Sequence, residues 1–129
     1  FAGQRIEVAR SDHGSRVLPE GLDDAGAFHH ETVLYRLVRP NGAGETTELA
    51  AAGSLDGALF TSSLTVEHFL AAGEERGCRD AAIAGLANAV VGAIGAPTRD
   101  TAETAGIDVD FVPEDATFEA LARAAVSRL

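Results

Sequence analysis

The sequence predicts an α/β fold: a mostly parallel sheet of five short strands with helices on both faces. Short apolar runs alternate with longer amphipathic stretches, the pattern of strands buried between covering helices. A faint repeat of strand, small polar loop, helix and Gly stop runs along the chain. The length of 129 residues first suggests one compact domain with a core of its own.

Each element has a local reason. Arg5–Ala9 reads as the first strand, and Arg10–Gly14 as the polar loop at its end. Val17, Leu18 and Leu22 recur at helical spacing, and Gly26 is a natural helix stop. The next strand runs from Phe28 to Val38, with Val33, Tyr35 and Leu37 in alternation, and Pro40 ends it. Asn41–Gly44 is the best linker candidate, followed by a short helix over Glu45–Ala52. Gly57–Thr61 is a short buried strand. Ser62 or Ser63 caps the helix of Val66, Phe69 and Leu70, which stops near Gly77. Ala81–Ala89 is an Ala-rich helical segment and Val90–Ile94 another strand. After Gly95–Thr98, a short helix over Asp100–Ala105 ends at Gly106, and Ile107–Val112 is the last strand. Thr117 caps Phe118–Leu129, with Glu119, Leu121, Ala122, Ala125 and Val126 on one face.

Charge narrows the function. Ten basic residues, all Arg, stand against twenty acidic ones, a formal net charge of −10. Nucleic acid is not expected as a partner, because phosphate neutralisation needs clustered Lys and Arg. Anionic membrane surfaces are disfavoured for the same reason, and no apolar run is long enough to span a bilayer. The start of the chain lacks the pattern of a signal peptide, so a cytoplasmic location is expected. The one cysteine, Cys78, excludes an internal disulfide and a multi-cysteine metal site. Acid excess without Lys suits high salt, where carboxylates stay hydrated and their repulsion is screened. The chain has no Met and begins at Phe1, so a piece of a longer protein is expected.

Ligands of parallel sheets sit beyond the carboxyl ends of the strands. Four loops qualify: Arg10–Gly14, Thr61–Ser63, Gly95–Thr98 and Pro113–Thr117. Three place hydroxyls at or just before a helix start, where free N–H groups and the helix dipole make an anion site without Lys. Any one hydroxyl reads first as an N-cap worth about 1 kcal/mol; several on one sheet edge favour a binding role.

Familiar motifs are absent. There is no Gly-x-Gly-x-x-Gly, no phosphate loop and no Gly-x-Ser-x-Gly elbow. His29 and His30 would point to opposite faces of a strand, which is wrong for chelation, and His68 has no His four residues away. His13, beside Asp12, reads as a solvated loop histidine ahead of a titrating one. Cys78 reads as an idle thiol, and Asp108 and Asp110 lack the spacing of a calcium loop. Tyr35 is either a core tyrosine or a phenol aimed into a cleft as a proton donor; the residues alone leave both open.

Five pieces, in order and at intact spacing over nearly the whole chain, carry a resemblance. They are Gly3-Gln4-Arg5-Ile6-Glu7-Val8-Ala9-Arg10, Val33-Leu34-Tyr35-Arg36, Phe60-Thr61-Ser62-Ser63 with Val66, Ala93-Ile94-Gly95 with Thr98, and Gly106-Ile107-Asp108-Val109 leading to Glu114, Thr117, Glu119, Ala120 and Leu121. Together they resemble the second half of the uroporphyrinogen-III synthase family. The resemblance implies a lyase that closes hydroxymethylbilane to uroporphyrinogen III, inverting the last pyrrole ring and losing water, with no metal or coenzyme. It implies ionisation to an azafulvene, a spiro intermediate and rearrangement, in a cleft between two α/β domains. Tyr35 matches the family's tyrosine, the candidate for helping the hydroxyl leave. Thr61 and Ser62, with Ser63 beside them, match the hydroxyl loop after the third strand, and Gly95 and Thr98 match the glycine and threonine after the fourth. Arg10 and Ser11 fall in the first loop, where this chain departs from the common Arg-Gly-Asp; it departs again at Leu64 and at Ala96-Pro97.

The family's enzyme is about twice this length, so the resemblance implies a flavodoxin-like fragment of a two-domain parent. Residues 1–40 form a strand–helix–strand segment of its second domain, and 45–129 the strand–helix repeats of its terminal domain. The amino-terminal half is then a missing partner, and the piece alone is expected to be inactive or nearly so. The rival is a non-catalytic flavodoxin-like domain for small-anion binding or interaction. Its phospho-receiver version is disfavoured, since Thr61 ends the third strand and Lys is absent.

Overall fold

A computed structural model describes residues 2–129. The elements run β1 (Arg5–Ser11), α1 (Val17–Asp24), β2 (Phe28–Tyr35), α2 (Gly44–Ala51), β3 (Gly57–Phe60), α3 (Ser63–Glu75), α4 (Arg79–Leu86), β4 (Val90–Ala93), α5 (Ala96–Thr104) and α6 (Phe118–Val126). The chain divides into two compact units, Phe1–Arg39 and Pro40–Leu129.

In the first unit β1 and β2 pair in parallel, from Arg5 opposite Phe28 to Arg10 opposite Val33. A bulge then brings Ser11 opposite Tyr35. Helix α1 packs Leu22 with Val8, Ala27 and Ile6 in a small core. The helix buries Pro19 and Leu22, whereas Val17 and Leu18, which recur with Leu22 at helical spacing, are exposed. Pro19 is tolerated because the first N–H groups of a helix have no partner within it.

In the second unit β3 and β4 pair in parallel, Gly57 opposite Val90 to Phe60 opposite Ala93. One face builds the main core: Phe60 and Val91 pack with Val66 of α3, Leu86 of α4, Ala102 of α5 and Ile107. On the other, Leu121 and Ala125 of α6 join Phe111, with Val90 and Ile94 against them. Helices thus cover both faces of this pair. The inner face of α6 is Leu121 and Ala125; Val126 is exposed, against expectation.

Four helices end alike. Gly26, Gly53, Gly77 and Gly106 have positive φ, and the following N–H reaches back to a helix carbonyl, as Ala27 does to Leu22 and Ile107 to Ala102. These endings satisfy carbonyls that the helix leaves open, and three of the four glycines were legible as stops.

Among the described residues the expected five-stranded sheet does not form. The strands make two separate two-stranded parallel pairs. The fifth strand, expected over Ile107–Val112, contributes one bridge, Phe111 to Gly92. The Asp110 carboxylate accepts the Val91 N–H at 2.7 Å, occupying a donor that a longer ladder would use. Pro113, with no N–H, then ends the run. Likewise β2 stops at Tyr35 and not at Val38, because the Leu37 N–H is bound by the Asp12 carboxylate. Helix α4 covers Arg79–Leu86, earlier than expected. Helix α5 starts at Ala96, not Asp100, because Pro97 in its first turn is preset for helix.

Candidate active site

The carboxyl edge of β1 and β2 gathers three residues singled out from the sequence: Arg10, Ser11 and Tyr35. Tyr35 is 58% exposed, which removes the core reading of its ring. Ser11 is buried, and its hydroxyl donates to the His13 carbonyl at 2.6 Å, closing the turn after β1. Arg10 is wrapped by the same turn. Its Nη2 donates to the Gly14 carbonyl at 2.7 Å, its Nε to the Ser11 carbonyl at 3.3 Å, and its Nη1 to Glu31 at 2.7 Å.

Glu31 also accepts Arg16 at 2.9 Å. Desolvation pushes the Glu31 carboxyl up, but the charges and hydrogen bonds of Arg16 and Arg10 outweigh it and hold the group below its ordinary value. His29 lies on this face too, its Nδ1 3.0 Å from Asp23 without hydrogen-bond alignment and its Nε2 3.7 Å from Glu31. His30 points to the other face, 3.0 Å from Glu7, which also accepts the Thr32 hydroxyl. Those bonds, Thr32 first and then His30, lower the Glu7 carboxyl. The divergence of the two histidines follows from the two-residue period of a strand.

The carboxyl edge of β3 and β4 gathers the rest. The Ile94 N–H donates to the Phe60 carbonyl at 3.0 Å, carrying the pairing past Ala93. Thr61–Ser63 and Gly95–Thr98 therefore leave adjacent strands side by side. Ser62 caps α3 in a capping box with Thr65: its hydroxyl accepts the Thr65 N–H at 3.1 Å, and the Thr65 hydroxyl accepts the Ser62 N–H at 3.2 Å. Ser63 is the first residue of α3, and Thr61 is exposed just before the cap. Gly95 is the N-cap of α5 in extended backbone, and no side chain caps that helix. Thr98 is buried in its first turn. Thr117 caps α6 by accepting the Ala120 N–H at 3.1 Å.

This arrangement presents hydroxyls and two helix starts at one edge, and a phenol with a buttressed arginine at the other. Uncapped helix N–H groups donate to carboxylates or phosphates without net positive charge. Two residues at the first edge escaped the sequence reading as partners of the site: Glu31, which organises Arg10 and Arg16, and Asp12, which bonds the backbone just after Tyr35. Their partners lie 15 to 25 residues away, so no local spacing signalled them.

The chain matches the family model described as uroporphyrinogen-III synthase HemD over residues 1–123. No curated protein matches it. Among the solved structures that resemble it are three of uroporphyrinogen III synthase from Thermus thermophilus. A selenomethionine derivative of a triple mutant is 22% identical with a TM-score of 0.63, covering 92% of this chain and 47% of its own. The wild-type enzyme is 22% identical with a TM-score of 0.58, covering 92% and 46%. A third structure is 21% identical with a TM-score of 0.56, covering 92% and 47%. These likenesses support the α/β fold, and the chain spans about half the length of the structures it matches. The family match over residues 1–123 carries more: this chain belongs to the uroporphyrinogen-III synthase family.

Proposed function

We propose that this chain is the carboxyl-terminal half of a uroporphyrinogen-III synthase, a lyase that closes hydroxymethylbilane to uroporphyrinogen III in tetrapyrrole biosynthesis. Its units would belong to the two flavodoxin-like domains of the parent, completed by the missing amino-terminal half. The parent would work in the cytoplasm; among the described residues no helix is long and apolar enough to cross a membrane.

The observation that carries this reading is the family match, together with the strand-end placement of the matching residues. The exposed Tyr35 phenol would protonate the departing hydroxyl, which leaves as water while a pyrrole nitrogen supplies the electron pair. The substrate is a polycarboxylate. Thr61, Ser62, Ser63, Gly95 and Thr98 would hold its carboxylates through hydroxyls and the α3 and α5 amides. Arg10 and Ser11 would serve from the first edge; three of the five arginine N–H donors are already engaged within the turn and with Glu31.

Charge placement agrees. Phe1–Arg39 carries five Arg against six acidic residues, a net charge of −1, while Pro40–Leu129 carries five against fourteen, a net charge of −9. An anionic substrate would meet least repulsion at the Tyr35 edge and would rely on amides and hydroxyls at the other.

The test is isomer analysis of the product from hydroxymethylbilane, using the two-domain parent and the 129-residue chain. Type III product from the parent, lost in Tyr35→Phe by about 10²-fold or more, supports the reading. Saturable tetrapyrrole binding without turnover by the parent would favour a binding domain, and substantial type III product from the chain alone would refute the half-enzyme assignment.

A further inference from the structure

Asp12 stands directly after β1 and holds the backbone at the end of β2, from the Tyr35 carbonyl to the Leu37 amide. Its N–H donates to the Tyr35 carbonyl at 3.0 Å, carrying the pairing one step past the bulge. Its carboxylate Oδ1 accepts the Leu37 N–H at 2.9 Å. The two bonds bracket Arg36 and pin the chain where it leaves Tyr35; the side chains of Tyr35, Arg36 and Leu37 are all exposed. Little side-chain packing within this unit therefore sets the direction in which the phenol leaves the sheet, and main-chain bonds must do so. A carboxylate accepting a backbone N–H is the stronger, charge-assisted kind. Asp12 is steadied in turn by its neighbours: Arg10 binds the Ser11 and Gly14 carbonyls, and Ser11 binds the His13 carbonyl.

We infer that Asp12 is a positioning residue for Tyr35, fixing the backbone that carries the phenol without touching the reacting atoms. The inference rests on the reading of Tyr35 as proton donor. The clamp needs an acceptor at Oδ1 more than a charge, so Asn serves in its place and Ala does not.

The sequence supplies a clean probe. Tyr35 is the only Tyr and there is no Trp, so the tyrosine near-ultraviolet circular dichroism band reports one ring. In the full 129-residue chain, Asp12→Ala is expected to raise Leu37 amide exchange at least about tenfold and to weaken that band. Asp12→Asn is expected to stay within about twofold of the native exchange rate. If Asp12→Ala fails to fold, Asp12→Ser, too short to reach Leu37, gives the same readout. Native exchange and a native band in the shortened variant overturn the clamp. In the two-domain parent, Asp12→Ala should lower kcat about 10–100-fold with KM nearly unchanged, and Asp12→Asn should restore it. If Tyr35→Phe keeps full activity, the proton-donor reading fails while the exchange data still decide the clamp. If Tyr35→Phe is inactive but the loosened Asp12→Ala turns over normally, the positioning role is overturned.

Discussion

Ser11 sits opposite Tyr35 across the β1–β2 pair, with Leu34 skipped, because the register shifts between Arg10 and Ser11. Bulges re-aim side chains at strand ends, and this one sets Tyr35 opposite a residue whose buried hydroxyl closes the neighbouring turn. Ser11→Ala is expected to cost about 1 kcal/mol through loss of the bond to the His13 carbonyl. Urea unfolding of the two proteins measures it.

Glu31 should govern part of the acid stability. Its folded-state carboxyl lies below the ordinary 4.5, with the desolvation cost outweighed by Arg16 and Arg10. Its contribution is therefore complete above about pH 4.5 and is lost as pH falls through the lower folded value. Glu31→Gln is expected to be less stable at neutral pH and to show a flatter loss on acidification. Urea midpoints between neutral pH and about pH 3 test this; parallel curves for the two proteins would contradict it.

Helices α2 and α4 meet where Gly85 faces Ala50. A Cβ on Gly85 would stand 1.8 Å from the Ala50 carbonyl oxygen, which is backbone and cannot swing aside. Helix propensity favours Ala over Gly by about 1 kcal/mol. Overpacking costs about 1–3 kcal/mol or more, so the clash wins. Gly85→Ala is expected to lower stability by about 2 kcal/mol despite the better helix former, as thermal unfolding would show.

Ser62 and Thr117 make equivalent caps, but only Ser62 stands among the proposed ligand groups. Ser62→Ala and Thr117→Ala should each cost about 1 kcal/mol. In the two-domain parent only the Ser62 change is expected to raise KM, which steady-state kinetics would resolve.

The acidic surface should make stability salt-dependent. With a net charge of −9 on Pro40–Leu129, screening by molar potassium chloride is expected to raise the unfolding midpoint relative to dilute buffer. Equal midpoints would remove the high-salt interpretation of the composition.

Local chemistry alone determined much of this protein. Glycines at 26, 77 and 106 end helices because they reach positive φ without strain. Thr117 marks a helix start because its hydroxyl meets an amide three residues on. Apolar runs of four to eight residues between amphipathic segments specify parallel α/β structure, and the hydroxyl loops after Phe60 and Ala93 follow from it. These are interactions among residues close in the chain, which a single sequence displays. Tertiary structure decided the rest. The Ile107–Val112 run could have joined β4 as a full strand; the Asp110 side chain instead bound the amide of Val91, and a single bridge resulted. Alternation at Val33, Tyr35 and Leu37 marked a strand but not which way it faces; α1 packs on Val8, Ala27 and Ile6, and Val33, Tyr35 and Leu37 are all exposed. Asp12 closes on Leu37, and Arg10 on Glu31, only after β1 and β2 are in register. Contacts between residues so far apart in the chain depend on which strand pairs with which, and at what offset, and no local spacing encodes that choice.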